Sequence, residues 1–236
     1  SEHNHAKSRS AGPGHCLHIN PWANKMLARD DRRMSRTLLD SMVAMNDPRV
    51  PVFAQPVGDS TEHPNGYGGM PNGLPQDSAV KWYNAASRPG LIFYPGGTPY
   101  GTFGTSAGLK TPSYLMTYAE VMFIKAEAAE RSLGGLSPSE AEADYDAGIV
   151  ASMNQWGITD DVAINAYLAR PDVAYKGGLA GLKQIAWQKW VALFTDGGTA
   201  WSEWRRTCIP NLRPGPGAIL DYVPRRFVYS PTEASV

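Results

Sequence analysis

Two helical repeats separated by a pair of glycines constrain this chain more than any other feature. From Thr111-Pro112 onward, Tyr114, Tyr118, Val121, Met122, Lys125 and Ala128 keep a helical period until Gly134-Gly135 breaks it. Pro112 suits a first helical turn, where no backbone N–H is needed, so the spacing predicts a helix opening there. The next helix begins with a capping box, Ser137-Pro138-Ser139-Glu140, in which the Ser hydroxyl accepts from the Glu140 amide and the carboxylate reaches back. It continues through Tyr145, Ile149 and Met153 to Trp156, and Gly157 stops it. Two helices of roughly 20 residues on a tight turn lie antiparallel, an αα-hairpin, which is the unit of tetratricopeptide-like superhelices. Ala119, Ala126, Ala128, Ala129, Ala141, Ala143 and Ala147 supply the small side chains for close approach.

A second pair is expected downstream. Residues 160–169 end at Arg170-Pro171, and Leu182, Ile185, Ala186, Lys189, Trp190 and Leu193 form one stripe within 179–194. Asp196-Gly197-Gly198 breaks that helix, and a further short one carries Trp201, Trp204 and Arg205. Upstream, Leu38, Leu39, Met42, Val43 and Met45 mark a short amphipathic helix that follows Ser35 and ends at Asn46-Asp47-Pro48. Trp156, Trp187, Trp190, Trp201 and Trp204 fall on helical stripes and read as core, with Glu120, Glu203, Arg205 and Arg206 as internal ion pairs.

Between these helical stretches, residues 50–110 change character. Gly and Pro recur every few positions, and only brief strand-like patches appear, Val50-Pro51-Val52-Phe53 and Leu91-Ile92-Phe93-Tyr94. So long an irregular run is unusual within a compact domain and points to function or disorder. Tyr67, Trp82, Tyr83, Phe93, Tyr94, Tyr100 and Phe103 argue against disorder, because a solvated linker carries few aromatics.

Residues 1–18 read as a poorly ordered tail, and its histidines, His3, His5, His15 and His18, lack a spacing that would gather them on a metal. The 22 basic and 22 acidic side chains cancel, so no overall field draws the chain to nucleic acid or an anionic membrane. The distribution is uneven: 112–176 carries a net −6, whereas 1–50 and 177–236 each carry +3. Cys16 and Cys208 have no metal-ligand companions and define no disulfide framework. No apolar run is long enough to span a bilayer as a helix. No cofactor motif is present, since Gly96-Gly97-Thr98-Pro99-Tyr100-Gly101 lacks the Lys of a phosphate loop.

Several motifs in register are specific. They are Asn46-Asp47-Pro48-Arg49-Val50-Pro51-Val52-Phe53-Ala54, Tyr67-Gly68-Gly69-Met70-Pro71-Asn72-Gly73, and Leu115-Met116-Thr117-Tyr118-Ala119-Glu120-Val121 with Lys125-Ala126-Glu127-Ala128-Ala129. Gln188-Lys189-Trp190-Val191-Ala192-Leu193-Phe194, Ala200-Trp201-Ser202-Glu203-Trp204-Arg205-Arg206-Thr207 and Pro224-Arg225-Arg226-Phe227 follow, with Tyr229-Ser230-Pro231 closing the set. In order and spacing the chain resembles the carboxy-terminal part of the SusD/RagB family over residues 19–235. The resemblance implies a mainly α fold: a tetratricopeptide-like αα-hairpin superhelix with a long irregular, loop-rich insertion. It divides 19–236 into an aromatic-rich ligand region (50–110), a helical scaffold (111–206) and an irregular tail (207–236). It also implies an outer-membrane lipoprotein of Bacteroidetes-type bacteria, on the cell surface, that captures oligosaccharides or less commonly peptides for a SusC-like, TonB-dependent transporter. The signal peptide, lipidated cysteine and first helix pairs of such proteins are not in this chain, so membrane attachment would depend on an anchor outside it.

A sugar offers C–H faces and hydroxyl rims, so its sites pair aromatic rings with amides, carboxylates or Arg. Trp82 and Tyr83 beside Asp77, Lys81 and Asn84, with Tyr94 and Tyr100 in the following loops, meet that description, as does Trp22 between Asn20 and Asn24. Two other readings are kept: a helical-repeat scaffold for protein partners in which the aromatics are core, and a glycoside hydrolase. The hydrolase needs two carboxylates in one cleft. The pairs available, Asp196 with Glu203 and Asp160 with Asp161, sit where turns and helix caps favour an acid. His63 stands alone in a loop, away from any Ser/His/Asp arrangement. A non-catalytic glycan-binding protein is therefore the expectation.

Overall fold

The computed structural model describes residues 20–26, 31–94 and 110–226. The tail at 1–18, Tyr100, Phe103 and the Phe227–Tyr229 end of the closing motif lie outside the described residues. The chain divides into two compact units, one of residues 1–30 and 92–113, the other of 31–91 and 114–236.

In the smaller unit, α1 (Pro21–Met26) is capped by Asn20, whose Oδ1 accepts from the amides of Trp22 at 2.9 Å and Ala23 at 3.1 Å. The same side chain donates through Nδ2 to the Thr111 carbonyl at 2.9 Å, and the Thr111 hydroxyl donates to Ile92 O at 2.6 Å.

The larger unit is helical: α2 (Arg36–Ala44), the single turns α3 (Val50–Phe53) and α4 (Gln76–Ala79), α5 (Tyr118–Glu130), α6 (Pro138–Gln155), α7 (Asp161–Leu168), α8 (Gly178–Ala192) and α9 (Gly197–Thr207). The hairpin expected at 111–157 is α5 and α6. Gly134 and Gly135, at φ +65° and +80°, make its turn, and the Ser137 amide donates to the Glu140 carboxylate at 2.9 Å. Ala119, Ala126, Ala129 and Ala141 are fully buried. At Gly148 on α6 an added Cβ would lie 2.7 Å from the Phe123 ring of α5, so the two helices cross in contact there.

α5 starts later than the spacing predicts. Thr117, not Pro112, opens it: its backbone is extended and its hydroxyl accepts from the Glu120 amide at 3.1 Å. Residues 111–117 run as irregular chain, and Tyr114 sets its ring edge-on to Trp156 at 5.9 Å. The two strand-like patches are also corrected. Residues 50–53 form α3, with Pro51 in its first turn, and Leu91–Phe93 form a 3-10 turn. Among the described residues there are only two isolated bridges, Ser35 with Met70 and Ala54 with Pro89.

Helix α8 joins two cores. Ile185 and Ala192 face Phe123, Tyr145, Ile149 and Tyr167, whereas Val191 faces Leu39, Met42 and Phe53. Its first turn has no capping side chain of its own, because Gly177 precedes it; Glu130 of α5 accepts from the Gly178 amide at 2.6 Å and places a carboxylate at the helix N-terminus. The second pair is less regular than the first: α8 packs mainly on α5, and short α7 meets it through Tyr167 and Gln188.

One buried polar cluster ties the segment after α2 to this scaffold. The Arg49 guanidinium donates to both oxygens of Asp47 (Nε to Oδ1 2.9 Å, Nη2 to Oδ2 2.6 Å), to Ser152 of α6 at 2.9 Å and to Gln188 of α8 at 2.8 Å. Tyr167 of α7 donates to Asp47 Oδ2 at 3.0 Å and accepts from Gln188 Nε2 at 2.9 Å. Burial alone would lower the Arg49 pKa; the adjacent Asp47 carboxylate more than reverses this and holds the guanidinium firmly charged. Burial, with the Asp47 charge adding to it, raises the Tyr167 phenol far above its usual range.

Helix α9 is held by a partly exposed ion network. Lys189 pairs with Glu203 at 3.0 Å, and Arg206 reaches Glu127 at 2.6 Å and Glu203 at 2.7 Å. The expected internal pairs of Glu203 and Arg206 thus use Glu127 where Glu120 was a candidate. Arg205 instead stacks on Trp201 at 4.8 Å, and Trp201 is 37 % exposed, which corrects its reading as core.

One carboxyl on α6 behaves in the opposite way. Partial burial, with the charge of Glu142 one turn away, pushes Asp146 up from 3.8 to about 6. A group with a raised folded pKa favours folding below its unfolded value and loses that contribution as pH rises through about 6. Asp146→Asn should therefore melt above the parent at neutral pH, with the difference vanishing near pH 4, in thermal scans at the two pH values. Equal melting at neutral pH would contradict this.

Candidate functional site

The irregular stretch of the larger unit is anchored by backbone hydrogen bonds. Met34 N donates to Ser87 O, Met70 N to Met34 O and Arg36 N to Met70 O, at 2.8–2.9 Å, while Gln55 N donates to Arg88 O at 2.9 Å and Gly90 N to Phe53 O at 2.8 Å. Glycine is required at two of these crossings. A Cβ on Gly69 would fall 2.3 Å from Arg36 Cα, and one on Gly90 only 1.9 Å from Val52 O.

On this base, α4 runs into a 3-10 turn, Val80–Trp82, which presents the expected residues together. Asp77, Lys81 and Asn84 are exposed, Tyr83 is 43 % exposed and Trp82 half-buried. Guanidinium groups stand against both rings: Arg36 lies 4.7 Å from the Trp82 centroid, and Arg33 lies 4.4 Å from that of Tyr83, with Arg88 at 5.7 Å. Arg33 also donates through Nε and Nη2 to the Tyr83 carbonyl, at 2.9 and 2.6 Å, and the Asn84 carbonyl accepts from the amides of Gly58 and Asp59. The rings are thereby fixed on a surface that carries cations, a carboxylate and an amide.

In the smaller unit Trp22 is 40 % exposed, with its ring 6.4 Å from that of Phe93. Tyr94 is 1 % exposed and presents no ring face to solvent, so the structure corrects its reading as a platform. Tyr100 lies outside the described residues.

Sequence reasoning missed a cleft that the fold builds beside Trp82. Arg36, which covers the Trp82 ring, also lines a cleft of about 920 Å³ with Asp40, Asn72, Lys183, Trp187 and Arg213. The walls come from α2, the 71–72 loop, α8 and the strap at 209–216, four segments with no shared motif. Arg213 lines a second cleft as well, of about 1320 Å³, with Trp204, Arg205, Tyr222 and Arg225. The strap is held by Gly217 N donating to Gly73 O at 3.2 Å.

Three of the four carboxylates of the hydrolase reading, Asp196, Asp160 and Glu203, are engaged elsewhere. Asp196 caps α9, accepting from Thr199 N at 3.1 Å, and Asp160 caps α7, accepting from Val162 N at 3.0 Å. Glu203 is desolvated, but its hydrogen bonds and charge contacts with Arg206 and Lys189 hold its carboxyl below the usual range, the reverse of what a general acid requires. Asp146, whose carboxyl is raised, lines neither cleft. Among the described residues no group of His, Cys, Asp and Glu could hold a metal ion, and no helix is long and apolar enough to cross a membrane.

A model of the SusD-like family, described as starch-binding and associating with the outer membrane, matches residues 7–230. The chain belongs to this family. Among solved structures, a SusD homologue from Bacteroides fragilis superposes with a TM-score of 0.72 at 24 % identity, over 92 % of this chain and 49 % of that one. One from Bacteroides ovatus gives 0.63 at 27 % identity, over 83 % and 43 %, and one from Bacteroides thetaiotaomicron 0.58 at 24 %, over 78 % and 40 %. The SusD-like chain thus spans less than half the length of the homologues it matches. No curated protein matches it. The motifs that suggested the family are placed by the fold: Asp47 and Arg49 form the buried ionic cluster, Tyr67–Asn72 the seam against α2, and Thr117–Glu120 the cap of α5. The tetratricopeptide-like helical architecture is that of the family.

Proposed function

We propose that this SusD-like chain is part of a non-catalytic cell-surface protein that binds oligosaccharides and hands them to a SusC-like, TonB-dependent outer-membrane transporter. The observation that carries the reading is the display of Trp82 and Tyr83, with Asp77, Lys81 and Asn84, on a rigid seam of a chain whose family is described as starch-binding. Binding would be ring stacking with hydrogen bonds to hydroxyls, without a covalent step. Arg33 and Arg36 hold the rings in place before ligand arrives, which reduces the ordering cost of binding.

The test is a pair of substitutions, Trp82→Ala and Tyr83→Ala, titrated calorimetrically with starch-derived and other neutral oligosaccharides. Each should weaken binding about tenfold or more, roughly 1.4 kcal/mol, while the melting temperature falls by no more than about 4 °C, about 1 kcal/mol for a chain of this size. Unchanged affinity would remove both rings from the site.

A scaffold role has one observation in its favour. Leu115, Met116 and Tyr118, at the start of α5, are 95 %, 61 % and 66 % exposed, an apolar group suited to protein contact. The absence of binding to any glycan or peptide would favour that reading.

A further inference from the structure

Arg36, Lys183 and Arg213 place three cations on the wall of the 920 Å³ cleft, against the single carboxylate of Asp40. Asp40 is already committed within the protein: its Oδ1 accepts from the Gly69 amide at 2.6 Å, and its Oδ2 lies 3.5 Å from Arg36 Nε. Lys183 and Arg213 are exposed, and neither has an ion-pair partner among the described residues. Two uncompensated cations on one concave wall attract a ligand with negative charge, and Arg pairs with planar anions through two parallel hydrogen bonds.

The same walls carry what a sugar ring requires. The Trp187 indole, Pro210 and Pro214 give apolar faces, and the amides of Asn72 and Asn211 give hydrogen-bonding edges. Asn72 Nδ2 already donates to the Thr37 hydroxyl at 3.2 Å, which fixes the amide. The volume suits a short oligosaccharide, since small-ligand sites occupy about 300–1,000 Å³. The basic character continues past the cleft. Arg213 also lines the larger one beside Arg205 and Arg225, where Asp221 is the only carboxylate among the described wall residues. The net +3 of residues 177–236 is concentrated here and contrasts with the −6 of 112–176.

We propose that this cleft binds an oligosaccharide carrying anionic groups, carboxylate or sulfate, with Lys183 and Arg213 meeting the charge and Trp187, Asn72 and Asn211 meeting ring and hydroxyls. The proposal rests on the glycan-binding reading above and names its ligand class. Arg36 connects the two parts, because it covers Trp82 and lines the cleft.

The intact chain is titrated with an oligogalacturonate, a sulfated galactan oligomer and a neutral galacto-oligosaccharide of matched length, at low and high salt, with polyglutamate as a charge control. At least one anionic glycan should bind about tenfold tighter than the neutral one, an advantage that salt reduces. Preference for the uronate assigns carboxylate and preference for the galactan assigns sulfate; either supports the proposal. Lys183→Gln with Arg213→Gln should abolish that advantage while the melting temperature stays unchanged. Equal affinity for anionic and neutral glycans overturns the proposal and leaves the glycan reading intact. Polyglutamate binding as tightly as the uronate overturns it as well, because charge alone would then suffice. If no glycan binds, both fall.

Discussion

Replacing Asp47 by Ala is expected to destabilise the chain by about 3–5 kcal/mol, the cost of removing one partner of a buried ion pair, and to lower the melting temperature by roughly 10–15 °C. Arg49 has no exposed surface, and four of its contacts converge on Asp47, Ser152 and Gln188. Without Asp47 the guanidinium stays charged, because nothing near it can take its proton, and it is left in the interior with two neutral acceptors. Tyr167 loses the acceptor for its hydroxyl at the same time. Tyr167→Phe deletes a single hydroxyl and should cost about 1–2 kcal/mol, so the two variants rank the charge above the phenol. Urea unfolding followed by circular dichroism measures both. A loss below about 1 kcal/mol for Asp47→Ala would show that the cluster orders the fold without stabilising it.

Gly69→Ala should be nearly as severe, for a steric reason. Gly69 does not occupy the left-handed region, so its own conformation admits alanine. The space does not: the new methyl would meet Arg36 Cα at 2.3 Å, Arg36 N at 2.5 Å and the Ser35 carbonyl carbon at 2.8 Å. Backbone cannot rotate aside as a side-chain tip can. The seam must open, and the Arg36–Met70 hydrogen bond and the Gly69–Asp40 hydrogen bond are weakened with it. Overpacking of about 1–3 kcal/mol plus two weakened hydrogen bonds puts the total near 3 kcal/mol. The substitution also moves Arg36, which covers Trp82 and lines the cleft, so glycan affinity should fall together with stability. Gly90→Ala, against Val52 O at 1.9 Å, is the control. It opens a different crossing, contacts neither Arg36 nor the cleft, and should lower stability while the folded fraction retains its affinity. A Gly69→Ala protein as stable as the parent would mean that the crossing of 69 over 35–36 is looser than described.

The helices were readable because each carries its own signals. Gly134-Gly135, Ser137–Glu140 and Asp160 are local stops and caps that act where the spacing places them, whereas Gly197-Gly198, read as a break, form the first turn of α9 behind the Asp196 cap. The start of α5 was misplaced because Pro112 and Thr117 both carry start signals, and only the Thr117 hydroxyl has an amide to accept from. Val50–Phe53 has strand-like composition, yet Arg49 and Asp47 hold its first turn in the interior and tertiary contacts override the propensity. That cluster itself could not be read as a cluster, since its partners at 152, 167 and 188 lie over 100 residues from Arg49.

The site divides along the same line. Asp77 to Asn84 are neighbours in sequence and remain neighbours on α4 and its 3-10 extension. The cleft draws on four distant segments, and Lys183 and Arg213 look like ordinary surface charges until the fold sets them across from Arg36. Tyr94 shows the opposite failure. An aromatic in an irregular stretch suits a platform and a core equally, and only its burial decides.

The most direct test of the central claim is a calorimetric titration of the intact chain with an oligosaccharide panel, followed by mass analysis of the recovered glycan. Saturable binding, with every oligosaccharide recovered at its original length, is the predicted result. No binding to any member of the panel, or shorter products that accumulate with time, would contradict it.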